Sequence, residues 1–87
     1  MMEPTDIILA PIATEMTFAL TEEQNKLTFI VHRSANKKTI REAVENLFKV
    51  RVVKVNTLIT LRGKKKAYIK LHEEDSALDI ATQFGLF

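Results

Sequence analysis

Residues 51–71 read RVVKVNTLITLRGKKKAYIKL, and this stretch decides the fold. Its first half alternates. Val53, Val55, Thr57, Ile59 and Leu61 fall on one side of an extended chain, and Val52, Lys54, Asn56, Leu58 and Thr60 on the other. Arg62-Gly63-Lys64 then supplies a short reversal around one of the chain's two glycines. Lys66 to His72 alternates again, with Ala67, Ile69 and Leu71 inward and Lys66, Tyr68 and Lys70 outward. Two alternating runs joined by a short glycine turn predict an antiparallel hairpin.

Upstream, Asn36 to Lys49 reads as the main helix. Ile40, Ala43, Val44, Leu47 and Phe48 recur at helical spacing and form one apolar stripe, while Lys37, Lys38, Arg41, Glu42 and Glu45 fill the other side. Before it, Leu27, Phe29 and Val31 alternate with Thr28 and His32 as a strand with one buried face. Thr14 is a good N-cap for a short helix from Glu15 to about Glu23, closed by a turn at Gln24-Asn25. Ile7 to Ala13 reads as a short extended segment, because Pro11 biases Ala10 away from helix. Ser76 with Asp79 starts a last helix carrying Ala77, Ile80, Ala81 and Phe84, and Gly85 stops it. The expected fold is α+β: a small sandwich with a mainly antiparallel four-stranded sheet and helices packed on it. The second sheet face mixes Ile30, Val52 and Leu58 with Lys54, Asn56, Lys66, Tyr68 and Lys70, and the N-terminal segment is expected to cover its apolar part.

The chain's 87 residues fit a single domain, 1–87. With no cysteine it cannot form disulfides or thiolate metal sites. Its longest apolar run, Ile7 to Ala10, is far short of the roughly 20 residues of a membrane span, and the N-terminus lacks a basic signal start. A soluble cytoplasmic protein is the default expectation.

The net charge of +2 hides a strong segregation. All 13 basic residues lie between Lys26 and Lys70, where Glu42 and Glu45 are the only acids, so that span carries +11. Residues 1–25 carry five acids and no base, and residues 71–87 four acids and no base. A basic middle of this strength suits a polyanion, most commonly RNA.

Catalytic candidates are poor. His32 and His72 take the outward parity of their strands and lack metal-ligand spacing. Glu73-Glu74-Asp75 precedes a helix, where acids meet the N-terminal dipole favourably. Two glycines leave no phosphate-cradling loop. The positive candidate is the sheet face. Lys54 and Asn56 lie beside Lys66, Tyr68 and Lys70, with Arg62, Lys64 and Lys65 around the turn. The cations can neutralise phosphates, Asn56 can hydrogen-bond a base edge or sugar, and Tyr68 can stack on an unpaired base. Glu15, Phe18 and Leu20 are, on sequence physics alone, helix and core residues.

Several stretches together resemble the large-subunit ribosomal protein 23 family. Ile8 to Glu15 is similar to its opening Pro-x-x-(Ser/Thr)-Glu-Lys motif, and Asn25 to Phe29 and Ile40 to Phe48 to its first full strand and main helix. Val53-Lys54-Val55-Asn56-Thr57 and Lys65-Lys66-Ala67-Tyr68-Ile69-Lys70-Leu71 resemble its two motif strands. The resemblance implies a non-catalytic protein of the large ribosomal subunit. It would bind domain III of large-subunit rRNA at the polypeptide exit and touch neighbouring ribosomal proteins. It would also help to dock nascent-chain factors such as trigger factor or the signal recognition particle. It implies that the Asn-Thr strand and the Lys-Lys-Ala strand lie on the RNA-bound side. With the charge reading, the expected RNA contacts are therefore Lys37, Lys38, Lys54, Asn56, Thr57, Arg62, Lys64, Lys65, Lys66, Tyr68 and Lys70. The resemblance also implies factor docking near Glu15; no cofactor, metal or small-molecule substrate is expected. Met16 stands where the motif usually has lysine, and the turn Arg62-Gly63-Lys64 is short, as in archaeal members. The short turn makes trigger factor the less fitting partner. A free-standing RRM-like module is the alternative, although it would want more exposed sheet aromatics than Tyr68. An acylphosphatase-like enzyme would need glycine and arginine near the N-terminus, and residues 1–25 have neither.

Overall fold

The structure, a computed structural model, describes residues 3–86. In chain order its elements are α1 (Pro4–Ile7), β1 (Ile8–Pro11), α2 (Glu15–Gln24), β2 (Lys26–Val31), α3 (Lys37–Phe48), β3 (Val52–Ile59), β4 (Lys65–Leu71) and α4 (Ala77–Gln83). The strands form one antiparallel sheet in the order β1-β2-β4-β3. The fold is α+β, as expected.

Each main element has a local cause. Asn36 caps α3, its side chain accepting from Thr39 N–H at 2.8 Å, and the apolar stripe buries Ile40, Ala43, Val44 and Phe48 against the sheet. Ser76 caps α4, and Gly85 ends it in a left-handed conformation, φ 65°. There Leu86 N–H bonds Ala81 O and Gly85 N–H bonds Thr82 O, which closes the last carbonyls. The hairpin turn runs through Leu61, Arg62 and Gly63. Thr60 N–H donates to Lys64 O, and Gly63 takes the left-handed position at φ 80° that such three-residue loops require.

The core lies on the helix side of the sheet. Leu27, Phe29 and Val31 of β2, Ala67, Ile69 and Leu71 of β4, and Val52 and Val55 of β3 are buried there. Phe29 stacks on Phe48 with ring centroids 5.5 Å apart, and Phe84 closes on Phe48 edge-on at 4.9 Å.

α2 docks differently, because its apolar periodicity is weak. Thr14 and Thr17 form a reciprocal capping box. Thr17 Oγ1 donates to Ile12 O at 2.8 Å, and Thr21 Oγ1 donates to Lys26 O at 2.8 Å. Buried hydroxyls bonded to backbone carbonyls thus hold this helix, while Phe18 stays 40% exposed and Leu20 half-buried.

Three expectations need correction. The extended segment begins at Ile8, and Ile7 instead ends a helical turn that packs on α3. The N-terminal segment therefore serves as edge strand and helix-side packing, and does not cover the second sheet face. The parity of β3 also changes within the strand. Its register shifts between Val52 and Lys54, so Val52 pairs with Leu71 on the buried side while Val53 is 55% exposed. Finally, Ile59 and Leu61 share the inner parity of Val55 but are 51% and 108% exposed. A 12-residue helix is about 18 Å long, whereas an eight-residue strand reaches ~27 Å, so the hairpin end overhangs α3.

Candidate nucleic-acid interface

The face of the sheet away from α3 is built by register. Lys26 of β2 pairs with Lys70 of β4, which pairs with Lys54 of β3. One step along, Thr28, Tyr68 and Asn56 form a second row, and Ile30, Lys66 and Leu58 a third. Strands about 4.8 Å apart put each row's three side chains across about 10 Å. A row of three lysines on one side and Lys66 between Ile30 and Leu58 on the other thus flank the central tyrosine and asparagine, with Thr28 buried beside them. Like charges directly opposite one another are unfavourable unless something neutralises them. Among the described residues, the ion pairs are Arg41 with Glu45 and Arg51 with Glu74 and Asp75, and none reaches this face. The face can therefore offer cations to phosphates, an aromatic ring to a base, and an amide to a base edge or sugar.

The sequence-derived site residues divide by place. Lys54, Asn56, Lys66, Tyr68 and Lys70 share this face. Lys70 Nζ also donates to Gln24 O at 3.1 Å, which fixes its ammonium over the end of α2. Arg62 and Lys64 are exposed on the hairpin turn. Lys65 pairs with Ile59 and Val31, so it takes the helix-side parity, and its Nζ donates to Ala35 O. Thr57 pairs with Ala67, which also puts it on the helix side and away from Asn56. Lys37 and Lys38 are exposed in the first turn of α3 and, with Arg41 and Lys54, line a cleft at the β3 edge. Glu15 is exposed at the start of α2, beside Met16 at 73% exposure.

Sequence reasoning missed Lys26. Its parity with Thr28 and Ile30 was legible, but only the pairing of β2 with β4 carries it into the lysine row. It also missed Asn25. This residue adopts φ 56°, donates from Nδ2 to Asp75 O at 2.7 Å and His72 O at 3.2 Å, and accepts from Ala77 N–H at 2.7 Å. One side chain thereby joins the start of β2 to the start of α4.

The acidic stretch after β4 is explained differently from the helix-dipole expectation. Arg51 donates to Glu74 at 3.2 Å and to Asp75 at 3.4 Å, and the Arg51 backbone N–H donates to Asp75 at 2.8 Å. That backbone hydrogen bond, helped by the guanidinium, holds the Asp75 carboxyl below the usual aspartate range. His32 and His72 sit just past the ends of β2 and β4 rather than within them. Each Nδ1 accepts a turn N–H, from Ser34 and Glu74 respectively, at 3.1 Å.

The sequence matches the family model described as ribosomal protein L23 across residues 6–79. The chain belongs to the ribosomal protein L23 family. It is similar to the large ribosomal subunit protein uL23 of Methanococcus vannielii, with 46% identity over 86 residues that cover 99% of this chain and 100% of that one. Membership makes the chain a ribosomal protein and not an enzyme. The likeness to an archaeal protein agrees with the short turn at Arg62-Gly63-Lys64. Among the described residues no helix is long and apolar enough to cross a membrane.

Proposed function

We propose that this family member, as a constituent of the large subunit of the cytoplasmic ribosome, binds domain III of large-subunit rRNA through its open sheet face. The observation that carries the reading is the register that sets Lys26, Lys70 and Lys54 in one row and Thr28, Tyr68 and Asn56 in the next, clear of the ion pairs found elsewhere in the described residues. Arg62 and Lys64 on the turn, and Lys37, Lys38 and Arg41 around the β3 edge, extend the same cationic surface. Lys66 would add a further contact from within the sheet, and Lys65 anchors the base of the hairpin through Ala35 O. The protein would stand at the polypeptide exit tunnel beside other ribosomal proteins. The acidic, exposed start of α2 around Glu15 would then face nascent-chain factors such as the signal recognition particle. What supports the last step is charge segregation together with the family resemblance of the Glu15 motif.

The test is binding of the purified chain to a domain III transcript and to an unrelated folded RNA, each across a salt series. Counterion release predicts that log K falls with log salt by roughly 0.7–0.9 per phosphate neutralised. A steep slope with preference for domain III is expected. Reversal of charge at Lys54, Lys64 and Lys66 should lower both affinity and slope. Unchanged affinity in that triple variant, at equal salt and with the fold intact, would remove the assignment of this surface.

A further inference from the structure

A cavity of about 420 Å³ opens where β1 meets the β3–β4 turn. Its size is within the range of small-ligand sites, about 300–1,000 Å³. The floor is apolar and comes from Leu9, Ala10 and Ile30. Leu9 is 55% exposed because the register shift between Ile8 and Ala10 takes it out of the β1–β2 ladder. Ala10 pairs with Ile30, and its single methyl group leaves depth at the centre.

The rim is cationic. Arg33 and Lys64 stand on it with Gly63 between them. The guanidinium of Arg33 lies over the turn, since a Cβ at position 63 would sit 3.4 Å from its Nη1. No carboxylate lines the cavity, and Arg33 and Lys64 take no part in the ion pairs found among the described residues. Apolar side chains and a guanidinium lining one cavity suit a flat, unstacked ring, and an ammonium beside them suits a phosphate. Ile30 also belongs to the sheet-face row with Lys66 and Leu58, so the cavity continues the cationic face.

We infer that this cavity receives one unstacked base of the bound RNA, with the ring between the Leu9–Ala10–Ile30 floor and Arg33 and a flanking phosphate on Lys64. The inference rests on the RNA reading of the sheet face and adds to it a site selective for an extruded nucleotide. An acidic peptide with an apolar side chain would satisfy part of the same chemistry. It would have to share its cations with the polyanion on the adjoining face, which favours RNA as the occupant.

The probe is the domain III transcript, with base-specific chemical probing and a salt series. Ala10→Phe fills the cavity from an exposed edge strand that accepts aromatic residues. Its affinity should fall about tenfold, within the range for loss of one base–protein stacking contact. The salt slope should stay at the parent value, because the apolar floor neutralises no phosphate. One unpaired base protected by the parent should become reactive, while the other protections remain. Arg33→Gln should weaken binding with little change of slope, because its guanidinium meets the ring, whereas Lys64→Gln should lower the slope by about 0.7. Leu9→Ser lies outside the ladder and should give a smaller loss in the direction of Ala10→Phe, which keeps the test open if the larger residue disturbs folding. Parent affinity with unchanged protections in folded Ala10→Phe and Leu9→Ser would overturn the base site and leave the sheet-face reading standing. Failure of the parent chain to bind the transcript would instead overturn the RNA reading, and the base site with it.

Discussion

The two faces of the sheet come from the same strands and obey opposite rules. On the helix side, Leu27, Phe29, Ile69 and Leu71 are almost fully buried and touch other apolar groups. On the other side, Lys26, Lys54, Lys66 and Lys70 stand near one another around Tyr68 and Asn56. The covered face stabilises the fold through removal of apolar surface from water. Apart from the bond of Lys70 to Gln24 O, the open face gathers like charge that works against the fold and is useful against a polyanion. Strand alternation makes this division possible, since one register satisfies both faces at once.

The largest break in that contrast should come from the covered face. Phe29→Ala removes a ring that is 1% exposed and stacked on Phe48. It should cost about 3–5 kcal/mol, read as a lower denaturant midpoint, and abolish RNA binding only by unfolding the chain. Next comes Asn25→Ala. It leaves Ala77 N–H and Asp75 O without their partner and removes a residue suited to the left-handed conformation. About 2 kcal/mol of stability should be lost in the same denaturant titration. Asn25→Asp, which keeps the acceptor but not the Nδ2 donors, should fall between the variant and the parent.

On the open face the pattern should invert. Tyr68→Ala should lower transcript affinity by about 1–3 kcal/mol, while Tyr68→Phe keeps most of it, because stacking needs the ring and not the hydroxyl. Thermal melts of the same variants should show whether stability moves less than binding. A stability loss in Tyr68→Ala that matched its affinity loss would mean that this side chain belongs to the core argument after all. The smallest effect should be one of pH. Asp75 is held below its ordinary value in the folded chain, so its contribution is present above the unfolded-state value and fades as pH falls through the folded one. Stability measured from neutral into acid pH should therefore fall less steeply for Asp75→Asn than for the parent. Equal slopes would remove Asp75 from the acid limb.

The candidate site was legible in unequal parts. Lys54, Asn56, Lys66, Tyr68 and Lys70 could be placed on one face because a hairpin with a short turn fixes its own pairing. Lys65 shares the parity of Ala67, Ile69 and Leu71, so alternation already parts it from Lys66, while only the tertiary structure brings its ammonium to Ala35 O. Thr57 falls outside the open face through strict alternation, so its place in the family motif and its place in the sheet are different facts. The apolar character of β3 misled at both ends. A bulge reverses parity at Val53, and the overhang beyond α3 leaves Ile59 and Leu61 exposed.

By itself the sequence determined whatever depends on neighbours along the chain. That includes the caps at Thr14, Asn36 and Ser76, the apolar stripe of α3, the glycine stop at Gly85, the final hairpin and the gathering of positive charge between Lys26 and Lys70. Tertiary structure alone decided the order β1-β2-β4-β3, and with it the lysine row that needs β2 beside β4. It also decided the Asn25 junction and the pairing of Arg51 with Glu74 and Asp75. The physical reason is range. Capping and periodicity act within a few residues, so they are written in local spacing. Strand partnership is settled by which apolar faces can be buried together, a property of the whole chain.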